Sequence, residues 1–363
     1  MGPAACLPSP PTRNCRMSIR TVVVCEAQVP FVTGGSEYHV RALVDQLKKH
    51  GFSTELVRLP FKEYPVEEIL PHAAAWRLID LSESNGDPID LVIGTKFPTY
   101  FVRHHNKVVW LIHQCRPAYE LCGTKFSNFN HADKDVGVRE RIIDLDRQML
   151  GECHKRFTNA ANTATRLRHF NGLDAEPLYH PPQLADRLRP GEYGDYVLSV
   201  GRLEPIKRID LALRAMQYVD PPTRLVVVGN GSKRKALETL AVTLQVSDRV
   251  TFLGQVNDTQ LIDLYAGALT VLYAPYDEDY GYITLEAFLS RKPVITATDS
   301  GGTLEFVRDG VNGIVCEPTA EEVGSAVNAF SSDRKRAAEY GGTGLERARS
   351  VTWDGVIEKL TSP

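Results

Sequence analysis

Residues 196–231 read YVLSVGRLEPIKRIDLALRAMQYVDPPTRLVVVGNG, in which two apolar runs flank a segment that can form a helix. The runs, Tyr196–Gly201 and Arg224–Gly229, have the composition of buried strands. Strands that alternate with helical segments pair in parallel, so this stretch predicts a β-α-β unit. The second half of the chain is therefore predicted to be a doubly wound, Rossmann-like α/β domain, with four further strands: Arg249–Gly254, Leu269–Ala274, Pro293–Thr298 and Gly313–Glu317.

The first half shows the same alternation less regularly. A Gly34-Gly35 loop precedes a predicted helix whose apolar residues recur at the spacing of one helix face, namely Val40, Leu43, Val44 and Leu47. Residues 116–155 are rich in charge and aromatic side chains, and we expect them to form an insertion at the open end of this half. Four strands are predicted: Thr21–Cys25, Ser53–Leu59, Leu91–Gly94 and Val108–His113.

Composition limits the class of protein. The chain has 363 residues, 43% of them hydrophobic and 24% charged, which is typical of a globular protein of two domains. A net charge of −3 disfavours a nucleic-acid binder. The seven cysteines are scattered without a CxxC pair, which favours reduced cytosolic thiols over disulfides or a zinc site. Residues 1–16, which are proline-rich, are predicted to be a disordered extension, and no apolar run suits a transmembrane helix.

Small and polar residues follow each predicted strand of the second half. Ligands of open parallel sheets bind at the carboxyl ends of the strands, so these residues predict a ligand-binding edge. The residues at this edge are Gly201-Arg202, Gly229-Asn230-Gly231, Gly254-Gln255, the 275–281 loop and Asp299-Ser300-Gly301-Gly302.

Two cations and two carboxylates at this edge indicate which ligand groups it could bind. Arg202 and Lys207 suit a diphosphate, whose charge must be neutralised when it leaves, although isolated cations usually lie on the surface. Glu278 is predicted in a loop and Glu286 about one turn into the following helix, whose start would direct free N–H groups at an anion. Carboxylates accept hydrogen bonds from vicinal hydroxyls of a sugar or ribose, but two spaced glutamates alone are more typical of helix-surface charge.

These motifs, in this order, resemble the retaining family-4 glycosyltransferases of GT-B fold. The resemblance is strong over residues 195–320 and looser in the first half, where it rests on Gly34-Gly35-Ser36-Glu37 and His113. It implies two Rossmann-like domains that face each other across a cleft. The matching elements are G-R-x4-K as Gly201, Arg202 and Lys207, G-x-G as Gly229 and Gly231, E-x7-E as Glu278 and Glu286, and G-G-x-x-E as Gly301, Gly302 and Glu305.

The resemblance also implies a division of the chain. An N-terminal, acceptor-side domain would cover residues 17–188, and a C-terminal, nucleotide-sugar-binding domain would cover residues 189–345. The segment 346–363 around Trp353 looks like the family's last helix, which returns toward the N-terminal domain.

Site roles follow from the same resemblance. Arg202 and Lys207 would hold the donor diphosphate, Glu286 the ribose hydroxyls, and Glu278 the transferred sugar. His113 would lie on the sugar or acceptor side, where a structural histidine is the alternative. Catalytic roles are thus implied for Glu278, His113, Arg202 and Lys207. The other donor-binding residues would be Gly34 and Gly35 (otherwise a tight turn), Gly229, Gln255 and Val256 near the base, and Gly281, Tyr282, Ile283 and Thr284 through their backbone amides.

The implied activity is retaining transfer of a sugar from a nucleoside-diphosphate sugar to a hydroxyl acceptor, such as a glycan, a lipid-linked glycan or a small molecule. No cofactor is expected. No Asp-x-Asp metal motif is expected at a strand end, so a required metal is not expected either. Arg208 stands where many relatives have glycine. The alternatives are a phosphorylase or sugar-nucleotide epimerase of the same fold, and a non-catalytic binder of sugar nucleotides.

A cytoplasmic location is expected, with peripheral contact to the inner membrane face as a separate hypothesis. Residues 100–116 mix basic side chains with Phe101 and Trp110, which is compatible with an interfacial patch. The β-branched Val108-Val109 run instead favours a buried strand.

Overall fold

A computed structural model describes residues 19–32, 34–129 and 131–362. The extension predicted at residues 1–16 lies outside the described residues. Within them the chain forms two six-stranded, all-parallel sheets with helices packed on their faces. The predicted α/β class with two Rossmann-like domains is confirmed.

The N-terminal domain is built on the sheet order β2-β1-β5-β6-β7-β8. A two-stranded antiparallel hairpin, β3-β4, lies apart from this sheet. The elements are β1 Thr21–Gln28, α1 Gly35–Lys49, β2 Ser53–Pro60, α2 Ile69–Leu78, β3 Glu83–Ser84, β4 Asp87–Pro88, β5 Leu91–Gly94, β6 Lys107–Leu111, α3 Asp133–Gly151, β7 Lys155–Thr158, α4 Ala161–Asn171 and β8 Glu176–Pro177.

The C-terminal domain repeats the architecture with the sheet order β11-β10-β9-β12-β13-β14. Its strand and helix order follows the alternation predicted from residues 196–231 onward. The elements are β9 Tyr196–Val200, α5 Ile209–Ala215, β10 Arg224–Val228, α6 Arg234–Thr243, β11 Val250–Gly254, α7 Asp258–Gly267, β12 Thr270–Leu272, α8 Tyr282–Leu289, β13 Val294–Ala297, β14 Gly313–Cys316, α9 Ala320–Ser332 and α10 Arg334–Arg349, and they are followed by α11 Trp353–Thr361.

The central strands are buried on both faces, which explains why they read as continuous apolar runs. In β1, the six residues between Thr21 and Gln28 are all buried. The predicted stripe of α1 packs against this sheet, with Val40, Leu43, Val44 and Leu47 at most 8% exposed. Helix periodicity therefore placed α1 correctly.

The expectation that residues 116–155 form an insertion is wrong. Nearly half of that segment is α3, the crossover helix between β6 and β7, and β7 pairs with β6 from Val108↔Lys155 onward. Ile142, Met149 and Leu150 are buried in the N-terminal core. Most charged residues of α3 are exposed, although Asp135 and Asp146 are buried, and the charged residues outnumber this sparse apolar stripe, which is why composition suggested an insertion.

The last two helices join the domains. α10 packs against α8 of the C-terminal domain and runs through the boundary predicted at 345/346. The chain then crosses at residues 350–352, and α11 buries Val356, Ile357 and Leu360 in the core that contains β1 and α1.

The proposed interfacial patch at residues 100–116 is interior. Tyr100, Phe101, Val108, Val109 and Trp110 are at most 2% exposed, so the segment is the buried strand and the turn before it. Across the described residues, no helix is both long and apolar enough to cross a membrane.

Candidate active site

The carboxyl ends of the two sheets face each other, and the glycine-rich loop before α1 meets the C-terminal domain there. A Cβ added to Gly34 would lie 3.9 Å from Nε of Arg202, and one added to Gly35 would lie 3.3 Å from the Tyr282 ring. A side chain at position 35 would require the Tyr282 ring to shift by a few tenths of an ångström, so glycine allows this approach without a shift. The structure thus brings Gly34, Gly35 and Arg202 to one cleft, as the resemblance implied.

Lys207 and Glu278 form an ion pair at the C-terminal side of the cleft. The Tyr273 hydroxyl donates to the same carboxylate oxygen at 2.6 Å and lies 3.3 Å from Lys207 Nζ. Burial alone would raise the pKa of Glu278, but the Lys207 charge and these hydrogen bonds outweigh it and hold that pKa below its usual range. Glu278 is therefore an ionised acceptor, held in one orientation.

Helix α8 begins beside this pair. Gly281 is its N-cap with φ +77°, and a Cβ there would lie 2.8 Å from Cγ2 of Thr303. The amides of Tyr282 and Ile283 lie in the first turn, where backbone N–H groups lack helical acceptors. The Thr284 amide, expected to be free as well, instead donates to the Gly281 carbonyl at 3.0 Å. The Thr284 hydroxyl is buried with no hydrogen-bond partner in the described part of the chain.

Glu286 lies one turn further into α8, as predicted. Its carboxylate accepts a hydrogen bond from the Tyr265 hydroxyl at 2.7 Å. Burial raises the pKa of Glu286 to about 7, although the Tyr265 bond opposes the shift. Val256 packs in the same cluster as Tyr265, whereas Gln255 is exposed beyond β11.

Close packing of the backbone requires a glycine at position 229. It adopts φ +124°, and a Cβ there would lie 2.0 Å from the Gly201 carbonyl oxygen. The ends of β9 and β10 therefore meet through two glycines, which keeps side chains off this part of the edge.

His113 follows β6 on the N-terminal side and is half-buried. Its Nδ1 lies 2.8 Å from the Gln114 carbonyl oxygen, which requires a proton on Nδ1 and leaves Nε2 as the acceptor. Burial lowers the pKa of His113, with the nearby Asp279 charge opposing that shift and Lys96 adding to it. A neutral imidazole is the result.

Lys96 was not among the residues predicted from the sequence, although it follows β5 just as His113 follows β6. Its Nζ donates to Glu37 and to Ser36, both at 2.9 Å, and Glu37 accepts from the Gly34 amide at 2.8 Å. This set holds the Gly34-Gly35 loop in place. Ligands of parallel sheets bind at the carboxyl ends of the strands, and this rule, which predicted the C-terminal edge, would have predicted Lys96 as well.

Arg208 is in the left-handed region, with φ +51°, where glycine would be unstrained. Its guanidinium makes two bonds to Asp299, at 2.8 and 2.6 Å, and donates to the carbonyls of Ala274 and Pro275. These four hydrogen bonds offset the strain, which explains the departure from the family pattern noted in the sequence.

Asp277 and Asp279 form an Asp-x-Asp pair in the loop beyond β12, a pattern that was not expected at a strand end. Their carboxylates contact protein cations: Arg166 binds both, and Arg116 binds Asp279 at 3.2 Å. Within the described residues, no group of three or more His, Cys, Asp or Glu side chains is arranged to hold a metal ion.

Glu305, the last residue of the G-G-x-x-E element, also reaches the N-terminal domain. Its two carboxylate oxygens accept from the amides of Ala161 and Asn162, at 2.8 and 2.7 Å, and so cap α4. An acid at a helix N-terminus satisfies free amides and opposes the positive end of the helix dipole.

Residues 184–347 match the family model described as Glycosyl transferases group 1. The chain is 29% identical over 277 residues to a D-inositol 3-phosphate glycosyltransferase of Nocardia farcinica, an alignment that covers 69% of this chain and 60% of that protein. The chain thus spans less than two thirds of the length of that relative.

Two solved structures show the same fold. Sucrose-phosphate synthase from Thermosynechococcus elongatus superimposes with a TM-score of 0.74 at 18% identity, covering 94% of this chain and 97% of that one. Anabaena HepE in complex with UDP and glucose superimposes with a TM-score of 0.68 at 16% identity, with the same coverage. Sequence identities this low show a shared fold and nothing more. That fold is GT-B.

Proposed function

We propose, from the membership of residues 184–347 in the glycosyl transferases group 1 family, that this protein transfers a sugar from a nucleoside-diphosphate sugar to a hydroxyl acceptor with retention of configuration. The observation that carries the proposal is the Lys207–Glu278 pair just before α8, together with the approach of Gly34 to Arg202 and of Gly35 to Tyr282 at the start of that helix. This arrangement offers cations to a diphosphate and an ionised carboxylate to sugar hydroxyls.

In the proposed reaction, the bond between the anomeric carbon and the diphosphate oxygen breaks as charge develops on that oxygen. Arg202, which has no ion-pair partner among the described residues, and Lys207 would stabilise this charge. The acceptor oxygen would bond to the same face of the anomeric carbon, and its proton would pass to the departing diphosphate. Glu278, held by Lys207 and Tyr273, suits hydroxyl binding better than nucleophilic attack.

The proposal does not require a metal ion. Arg202, Lys207 and the free amides of α8 would supply the positive charge that a divalent ion provides elsewhere. Full activity in the presence of a chelator is the expected result.

The acceptor is proposed to be an uncharged hydroxyl compound, free or lipid-linked, acted on at a cytoplasmic location. The Nocardia farcinica relative is named for an inositol phosphate acceptor. On the N-terminal wall of this cleft, Lys96, Arg116 and Arg166 are each bound to carboxylates. An anionic acceptor would have to displace those carboxylates, so the chemistry of the wall favours a neutral one.

The test starts from a donor screen. UDP-, GDP-, ADP- and dTDP-sugars are added separately, and the true donor should raise the melting temperature by mass action. Transfer to neutral and phosphorylated polyols, and to their lipid-linked forms, is then measured by release of nucleoside diphosphate. We expect Lys207→Ala and Glu278→Ala to lower turnover by about 10²-fold or more, the size of a lost charge-stabilising contact.

The control is Lys48→Ala, which removes an exposed lysine at the opposite end of α1 and should leave turnover unchanged. Near-normal turnover in both site variants would contradict the assignment. Sugar release that depends on inorganic phosphate, or donor conversion without acceptor, would favour the phosphorylase or epimerase alternative. Donor binding without nucleoside diphosphate release under any acceptor would favour a non-catalytic binder.

A further inference from the structure

The loop that carries Glu278 is bound from across the cleft by three side chains of the N-terminal domain. Arg116 donates to Asp279 Oδ2 at 3.2 Å and to the Asp277 carbonyl at 2.6 Å. Arg166 binds Asp279 Oδ1 and makes two 3.0 Å bonds to Asp277, one to its carbonyl and one to its carboxylate. Asn162 donates to Asp277 Oδ1 at 2.8 Å and to the Glu278 carbonyl at 3.0 Å.

These contacts are shielded from water. The Arg166 side chain is 9% exposed and that of Asp279 is 12% exposed. Burial would raise the pKa of Asp279, but the two guanidiniums lower it to about 2, so the pair is ionised. Glu120 lies 3.4 Å from Arg166 and also pairs with Arg116, which balances the second positive charge. Removing one member would deprive buried charged groups of one of their partners.

Asp279 acts on Glu278 directly. Its amide donates to Glu278 Oε1 at 3.2 Å, while Lys207 and Tyr273 bind Oε2. The backbone of Glu278 is fixed by bonds to Ser300 and Gly302 of the C-terminal domain. One carboxylate oxygen is thus held from the C-terminal domain. The other accepts from the Asp279 amide, whose peptide plane also carries the Glu278 carbonyl that Gly302 binds from the C-terminal domain and Asn162 from the N-terminal domain.

We propose that Asp279 is a positioning residue that couples contact between the two domains to the orientation of the Glu278 carboxylate. The inference rests on the proposed function, in which Glu278 binds the transferred sugar. The proposed diphosphate and ribose contacts, Arg202, Lys207 and Glu286, all belong to the C-terminal domain, so the donor can bind before Arg116 and Arg166 engage the loop. The sugar is then oriented for transfer only when the domains meet, which limits donor loss to water.

Kinetic and binding measurements on Asp279→Asn separate donor binding from turnover. In Asp279→Asn the side chain keeps its shape and loses its charge. We expect kcat to fall by about 10²-fold, the scale of a small misplacement at a reacting centre, while the donor-induced rise in melting temperature stays as in the unmodified protein. Arg187→Gln, which removes an exposed ion pair between Arg187 and Asp258, is the matched control and should keep full kcat.

A second variant and a second readout keep the inference testable if Asp279→Asn does not fold or if no transfer is found. Arg116→Gln removes one of the two guanidiniums and leaves Arg166 in place. In both variants, amide hydrogen exchange should rise in peptides covering residues 276–282 and stay unchanged in β9 and β10. An equal loss of donor binding and kcat, or exchange unchanged at 276–282, would overturn the positioning role. Absence of transfer in the unmodified protein would instead refute the proposed function and leave the exchange result to decide this inference.

Discussion

At the scale of single residues, environment assigns different tasks to two carboxylates that are eight positions apart. Glu278 is held ionised by Lys207, whereas Glu286, with a tyrosine hydroxyl as its partner, has a pKa raised to about 7 by burial. Both are acids of one motif, yet at neutral pH only Glu286 lies near its titration point.

Glu286 therefore predicts a pH dependence of donor binding. Its ionised form, present above about pH 7, accepts hydrogen bonds from ribose hydroxyls better than the protonated form. The donor dissociation constant should fall as pH rises from about 6 to about 8, by at most about tenfold per unit below the pKa. Titration calorimetry at several pH values measures this, and Glu286→Gln should give a flat profile. A profile of unchanged slope in Glu286→Gln would assign the dependence to another group.

At the scale of elements, α4 of one domain is capped by an acid of the other. Glu305 satisfies two amides at the start of α4. Glu305→Ala is expected to lower the free energy of unfolding by about 1–2 kcal/mol, the usual cost of a lost N-cap. Urea unfolding measures this loss.

A matched control for the Glu305 variant is Thr319→Ala, which removes a cap within the C-terminal domain, where Thr319 Oγ1 accepts from the Glu322 amide. Amide exchange at Ala161 and Asn162 should rise in Glu305→Ala and not in Thr319→Ala. Equal exchange at these amides in both variants would mean that the interdomain cap contributes nothing to α4.

At the scale of the whole molecule, the last helix makes the first domain depend on the end of the chain. Leu360 is fully buried against the core of β1 and α1. Leu360→Ala should lower the free energy of unfolding by about 2–5 kcal/mol, since it leaves a cavity in that core. Amide exchange should rise in β1 and α1 more than in β9 and β10.

Glu358→Ala, on the exposed side of the same helix, is the control for the Leu360 variant and should leave unfolding unchanged. If Leu360→Ala loosened both domains equally, α11 would be stabilising the molecule through the C-terminal domain rather than through the N-terminal core.

Part of the fold follows from sequence because its signals are local. Buried parallel strands are continuous apolar runs, and α1 has a clean apolar stripe, so both could be identified without contacts. α3 could not, because its apolar stripe of Ile142, Met149 and Leu150 is sparse among charged residues. The strand-end rule likewise identified Arg202 and Lys207, and it would have reached Lys96 had it been applied to the first half.

By itself, the sequence determined the two α/β halves and the spacing that puts Arg202, Lys207, Glu278 and Glu286 on one sheet edge. The reason is that the alternation of strands and helices along the chain, and the period of each helix, depend on residues that are neighbours in sequence. Only the tertiary structure decided which charges are paired across the cleft. Arg116 and Asp279 are 163 positions apart, and Ala161 and Glu305 are 144 apart. Their attraction depends on distance in space and on exclusion of water, and both arise only when the two domains meet.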